Sequence, residues 1–222
     1  MFLFLTFSAD FISMAGSDDS ASKWMELEIE EDYSVNITHF GSCNSFFLKV
    51  DDKNSKWKEM QTMLNNFKPC KKLLYPKAGT LCLTMSRHGL DRAKIIRSSR
   101  NSYIVFLVDY GKCLFFNDEV IPAYEMTPEI KHIMPFQTIN CRLAGLSAPS
   151  DYQWTRYIYH KYVKNMREPK IRVVKGLKSN QEKIPWGLDN VNSYEVELYE
   201  SGNEKNTIGD ILFKLQIAGY YT

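Results

Sequence analysis

The sequence lacks the features that usually mark a metal centre, a catalytic site or a membrane anchor. Its five cysteines form no Cys-x-x-Cys pair, which argues against a zinc site and suits small buried side chains. It has no glycine-rich phosphate loop and no Ser/His/Asp pattern. No apolar run approaches the ~20 residues that span a bilayer. We therefore expect no catalytic residue, no metal, no cofactor and no membrane partner.

An excess of charge of one sign is also missing. The net charge is +2, so the composition implies no general attraction to nucleic acid. With 44% hydrophobic and 14% aromatic residues, the 222 residues can bury a sizeable core in one large or two small domains. The chain begins with an apolar stretch and continues through the Ser/Asp-rich segment Ser17–Ser22. We expect residues 1–22 to form a flexible leader.

The pattern of apolar residues changes twice along the remaining chain, after the segment Lys56–Phe67 and again before Phe136. The first part predicts a hairpin, Ser34–Phe40 with Phe46–Val50, followed by an amphipathic helix, Lys56–Phe67. The second part predicts a small barrel of short strands, over Thr80–Met85, Ala93–Arg97, Ser102–Asp109 and Lys112–Phe116. The third part predicts strand, helix, two strands and a closing helix, over Phe136–Gly145, Asp151–Met166, Lys170–Gly176, Ser193–Glu200 and Thr207–Ala218. The fold class is therefore mainly β with helices (α+β). From pattern alone, Tudor, SH3-like and OB barrels all fit the middle part.

The segment Tyr103–Phe116 narrows this choice. A nearly continuous apolar run ends in Asp109-Tyr110-Gly111, and a short aromatic strand follows. This sequence predicts a buried strand, a tight turn at Gly111 and a return strand.

The order of these segments resembles the extended Tudor domain, in which a Tudor barrel is inserted into a split OB domain like that of staphylococcal nuclease. The turn Val108–Gly111 resembles the Tudor hairpin, and Pro135–Pro149 (PFQTINCRLAGLSAP) resembles the return into the OB part. The resemblance implies that residues 33–68 are the first half of the OB domain with a linker helix. Residues 73–130 would then be the Tudor core, and residues 135–221 the second OB half.

Proteins of this family are non-catalytic adaptors. Many work in the piRNA pathway of germ cells, in cytoplasmic perinuclear granules (nuage). There they bind Arg-rich N-terminal tails of Piwi/Argonaute proteins. The usual ligand is symmetrically dimethylated arginine, held by four aromatic rings and one Asn. Aromatic faces attract this cation by about 0.5–2 kcal/mol per contact.

Matched to the family's motifs, the cage in this sequence is incomplete. The cage positions fall on Met85, Asp91, Leu107, Tyr110 and Lys112, and only Tyr110 keeps an aromatic ring. Three missing rings forgo about 2–4 kcal/mol of cation–π attraction. Lys112 adds repulsion of about 1 kcal/mol in water and about 4 kcal/mol in a partly buried cleft. The pattern therefore predicts that methylarginine binds poorly.

Two interpretations of this cleft stay open. In one, it binds an unmethylated Arg-containing peptide, as some germline members with an incomplete cage do, with Asp91 pairing with the arginine and Lys112 meeting an acidic or carbonyl-rich segment. In the other, the degenerate Tudor part is only a structural or oligomerisation scaffold.

Two rival functions lie in the OB-like part. Weak RNA binding is the first, because basic residues recur at helical spacing: Arg156, His160, Lys164 and Arg167. A nuclease is the second, but the carboxylates that a catalytic metal would need are dispersed along the chain: Asp51, Asp52, Asp189 and Asp210. We therefore do not expect an enzyme.

Overall fold

Two β-structures make up most of the chain in the computed structural model. The structure describes residues 23–51, 55–68, 71–74, 76–87, 89–99, 102–117, 123–147, 152–177, 188, 191–215 and 219–220. The predicted leader, residues 1–22, lies outside these ranges. The strands are β1 (Asp32–Ser42), β2 (Ser45–Val50), β3 (Leu81–Ser86), β4 (Gly89–Ser98), β5 (Ser102–Leu107), β6 (Lys112–Asn117), β7 (Ala123–Glu125), β8 (Ile139–Leu143), β9 (Leu146–Ser147), β10 (Pro169–Leu177), β11 (Ser193–Glu200) and β12 (Gly219–Tyr220). The helices are α1 (Ser55–Asn66), α2 (Pro128–His132), α3 (Tyr152–Ile158) and α4 (Ile208–Lys214), and a π-helical turn, Tyr159–Val163, continues α3.

The first β-structure is a closed barrel in the order β1-β10-β11-β8-β2. Its strands come from both ends of the chain, and β8 and β11 pair in parallel while the other neighbours are antiparallel. Alternate residues point inward, so Phe46 and Leu48 of β2 join Ile139 of β8 in one buried core. A capping box between Thr207 and Asp210 starts α4, which covers this core.

The second β-structure is a five-stranded antiparallel sheet in the order β6-β5-β4-β3-β7. Along β5, Val105 and Leu107 face a core shared with Ala93 and Ile95 of β4. The residue between them, Phe106, faces the opposite way and packs with Trp24, Phe47 and Phe136. The two faces of β5 therefore join the interior of this sheet to the barrel.

A buried ion pair fixes the Tyr110 turn to the chain that returns to the barrel. Arg92 Nε and an Nη atom donate to the two carboxylate oxygens of Asp109 at 2.8 and 2.6 Å. The same guanidinium donates to the backbone carbonyls of Ile130, Met134 and Pro135 at 2.9–3.3 Å. Arg92 is fully buried and the Asp109 side chain is only 3% exposed, so five donor contacts compensate a charge that water does not reach.

The helix α1 packs on the outside of the second sheet. Met60 and Leu64 of α1 meet Leu83 of β3, Leu90 of β4 and Ile130 of α2 in a separate buried cluster. Within the described ranges, no helix is long and apolar enough to cross a membrane.

Most of the predicted elements are present with ends shifted by a few residues. The helix predicted over Asp151–Met166 is shorter than expected, and the π-helical turn takes its second half. The predicted closing helix is likewise shorter, since α4 ends at Lys214. The sequence analysis missed β7, α2, β9 and β12, which have only two to five residues each.

Candidate functional site

An open cavity of about 570 Å³ lies at one end of the second sheet. Met85 comes from the end of β3, Leu107 is the last residue of β5, and Lys112 is the first residue of β6. Leu107 and Lys112 are direct partners across the tight turn, so the turn brings them to the same wall. The described residues that line the cavity are Met85, Ser86, Arg87, Leu107, Lys112, Leu114 and Phe116.

The tight turn that carries Lys112 depends on a glycine. Gly111 has φ +63°, and a Cβ atom there would lie 2.4 Å from Phe47 Cβ of the barrel. The backbone N–H groups of Tyr110 and Gly111 both donate to the carbonyl of Leu107, at 3.1 and 2.9 Å. Glycine is thus required both by the backbone conformation and by the close approach of strand β2.

The cavity combines apolar walls with positive charge. None of the described residues that line it is acidic. Burial lowers the pKa of Lys112 from its usual value, and the like charge of Arg87 lowers it further. Desolvation and the charge of Lys112 in turn lower the pKa of His39 on β1. The charge of Lys112 therefore acts both in the cavity and on His39 of the barrel hairpin.

Only one aromatic ring, Phe116, is among the described residues lining this cavity. Tyr110, the one aromatic residue at a predicted cage position, is half-buried and is not among them. Its ring meets Trp57 of α1 edge-on, with centroids 6.0 Å apart. Burial raises the pKa of the Tyr110 hydroxyl further above its usual value. Within the described chain, four rings do not converge beside Tyr110.

The structure does not present Asp91 to a ligand as the sequence analysis expected. Asp91 is only 2% exposed, and its carboxylate accepts a hydrogen bond from the Ser86 hydroxyl. Desolvation by burial raises the pKa of Asp91 to about 6. A carboxylate enclosed in this way is not available to pair with a peptide arginine, so the proposed role of Asp91 is corrected. Of the five predicted site residues, the cavity brings together Met85, Leu107 and Lys112.

Four further lining residues, Ser86, Arg87, Leu114 and Phe116, were not predicted. Leu114 and Phe116 follow Lys112 at intervals of two along β6, and residues at this spacing share one face of a strand. This alternation could have predicted that Leu114 and Phe116 lie on the same wall as Lys112. Arg87 lies in the connection between β3 and β4, where the sequence has no periodicity to orient a side chain.

Of the four carboxylates considered for a nuclease, Asp51 and Asp210 lie in the described part of the chain. No group of three or more His, Cys, Asp or Glu residues within the described ranges could hold a metal ion. Asp210 caps α4 through Thr207, whereas Asp52 and Asp189 lie outside the described residues.

The basic residues considered for RNA binding, Arg156, His160, Lys164 and Arg167, are all exposed. The π-helical turn changes the helical spacing within this set. Weak RNA binding stays a prediction.

A sequence model of the Tudor domain family matches residues 27–145, which is more than half of the chain. The chain therefore belongs to the Tudor domain family, whose domains are binding modules rather than enzymes. Among curated proteins no match was found.

Solved structures extend this assignment to the whole architecture. The human TDRD1 extended Tudor domain, in complex with a symmetrically dimethylated E2F peptide, matches with a TM-score of 0.72 and 21% identity over 90% of this chain and 95% of that chain. Mouse TDRD1 domain TD3, with a MILI peptide containing dimethylarginine, matches with a TM-score of 0.70 and 19% identity over 90% and 98% of the two chains. A variant of the Drosophila melanogaster Papi extended Tudor domain, with a Piwi N-terminal peptide, matches with a TM-score of 0.68 and 17% identity over 86% and 100%. The predicted fold class, an extended Tudor architecture that is mainly β with helices, is confirmed.

Proposed function

We propose that this protein is a non-catalytic peptide-binding adaptor of the piRNA pathway. Its ligand is an Arg-containing N-terminal tail of a Piwi/Argonaute protein, and binding does not depend on arginine methylation. Its place of action is the cytoplasmic perinuclear germ granule, the nuage. The family and fold support peptide binding, since the similar domains of TDRD1 and Papi were solved with bound peptides. The same variant of the Papi domain was solved with both a methylated and an unmethylated Piwi peptide.

The composition of the cavity is the observation that carries methylation independence. Met85 and Leu107 occupy positions that the resemblance matches to rings of the family's cage, and Phe116 is the one ring among the described lining residues. At about 1 kcal/mol per ring, three missing rings forgo about 3 kcal/mol of attraction for a methylated guanidinium. Lys112 adds repulsion of about 1–4 kcal/mol, depending on how far water screens it. A methyl group on arginine therefore brings no gain in affinity.

The peptide-binding role can be tested by calorimetry with the full chain and synthetic Piwi/Argonaute tail peptides. Met85→Lys places a bulky charge on the cavity wall, at a side chain that is 46% exposed, so the fold should tolerate it. The matched control is Leu74→Lys, at a side chain that is 74% exposed and does not line the cavity. We expect Met85→Lys to weaken binding at least tenfold and Leu74→Lys to leave it unchanged. If the wild-type chain binds no tail peptide, the cavity is a remnant and the module is a structural scaffold.

A further inference from the structure

The described lining of the cavity suits neither a methylarginine nor an arginine side chain. Its walls include Met85, Leu107 and Leu114, and Phe116 is the one aromatic residue among the described lining residues. No described lining residue carries a negative charge, and Lys112 and Arg87 supply positive charge at the cavity. A cationic side chain entering it would lose hydration, and among the described lining residues it would find neither a carboxylate partner nor a set of rings. An apolar side chain would lose nothing comparable and would remove apolar surface from water.

The positive charge of Lys112 has no described carboxylate to compensate it. The ion pairs formed by the described residues do not include Lys112, and the charge that acts on it is the like charge of Arg87. Because Lys112 is the cross-strand partner of Leu107, this positive charge lies next to the apolar wall. A ligand with a carboxylate one residue away from its apolar guest would satisfy both features at once.

We propose that the cavity receives an aliphatic or aromatic side chain of the bound peptide, and that a neighbouring Asp or Glu of the peptide pairs with Lys112 and Arg87. This inference rests on the proposed peptide-binding function and names the chemistry of its central contact. A volume of about 570 Å³ accommodates a leucine or phenylalanine side chain with part of its flanking backbone. The arginines of an Arg-containing tail then lie outside the cavity, and the recognised element is an acidic–apolar pair within that tail.

Fluorescence polarisation with the full chain and three labelled peptides tests the inference. The peptides share one neutral flanking sequence and differ only in a central pair: Leu-Glu, Leu-Gln or Arg-Gln. We expect the Leu-Glu peptide to bind at least tenfold more tightly than either of the others. Its advantage should shrink between 50 and 500 mM salt, because the Debye length falls from about 14 to about 4 Å and the charge pairing weakens.

Variants of Lys112 identify the site. Lys112→Glu reverses the charge and should abolish the preference for Leu-Glu over Leu-Gln. Lys112→Asn only removes the charge and should reduce this preference. Lys205→Glu, at an exposed lysine before α4 that does not line the cavity, makes the same change in net charge and should leave the preference intact. Circular dichroism shows whether each variant is folded.

The possible outcomes separate the two proposals. If the Arg-Gln peptide binds as tightly as Leu-Glu, or if Lys112→Glu leaves the preference unchanged, the inference is wrong. If a Piwi/Argonaute tail peptide still binds in that case, peptide binding survives and only the acidic–apolar contact is rejected. If neither the model peptides nor the tail peptides bind, both proposals fail. Self-association of the chain that masks the cavity, measured by light scattering, would also overturn the inference.

Discussion

Replacing Asp109 by asparagine should cost about 3–5 kcal/mol of the free energy of unfolding. The substitution keeps the side-chain shape but removes the charge that receives two hydrogen bonds from Arg92, at 2.8 and 2.6 Å, and one from the backbone N–H of Gln137, at 3.2 Å. Arg92 is fully buried, so its guanidinium keeps a charge with no counter-ion and no water. Breaking a buried pair in this way typically costs about 3–5 kcal/mol. That is a large fraction of the ~5–15 kcal/mol that stabilises a typical domain.

The measurement is urea unfolding followed by tryptophan fluorescence, with Glu125→Gln as the matched control. Glu125 pairs with Lys71 at 2.7 Å in the same sheet, but their side chains are 52% and 72% exposed. An exposed pair contributes about 0–1 kcal/mol, so this control should change little. The double variant Arg92→Met with Asp109→Leu should lose less than the sum of the two single losses. A loss below about 1 kcal/mol for Asp109→Asn would show that water or another group compensates Arg92, and the account of the turn would be wrong.

Two further predictions concern the same end of the sheet. Gly111→Ala should cost about 2–4 kcal/mol in urea unfolding, because it adds backbone strain at φ +63° to a clash with Phe47. Gly202→Ala, with φ +80° and open space around its Cβ position, should lose only about 1–2 kcal/mol; equal losses would contradict the clash. Asp91→Asn should stabilise the fold by up to about 3 kcal/mol at pH 7.5 and by nothing at pH 4. The pKa of Asp91 is raised from 3.8 to about 6, so the folded state holds its proton more tightly than the unfolded chain, and stability falls as pH rises from about 4 to 6. A gain that is the same at both pH values would contradict this.

The strands could be predicted because their patterns are local. Alternation of apolar and polar residues located β1, β2 and β11, and the Asp109-Tyr110-Gly111 motif located the turn between β5 and β6. The short β7 could not be located, because three residues carry no usable period.

The sequence could not predict in which direction the side chains at the cage positions point. Motif matching placed Tyr110 and Asp91 at cage positions, but contacts with distant residues decide where their side chains point. Tyr110 meets Trp57, 53 positions earlier in the sequence, and Asp91 accepts a bond from Ser86 across the turn between two strands. Met85, Leu107 and Lys112 line the cavity because their positions at strand ends leave them facing it.

The most direct test of the central claim is the affinity of one Piwi/Argonaute tail peptide in two forms. Calorimetry with the wild-type chain should compare an arginine that is unmodified with the same arginine symmetrically dimethylated. We predict equal affinities, or weaker binding of the methylated form, because the cavity offers an apolar wall and a lysine where rings and an amide would be needed. A preference of tenfold or more for the methylated peptide would contradict the account.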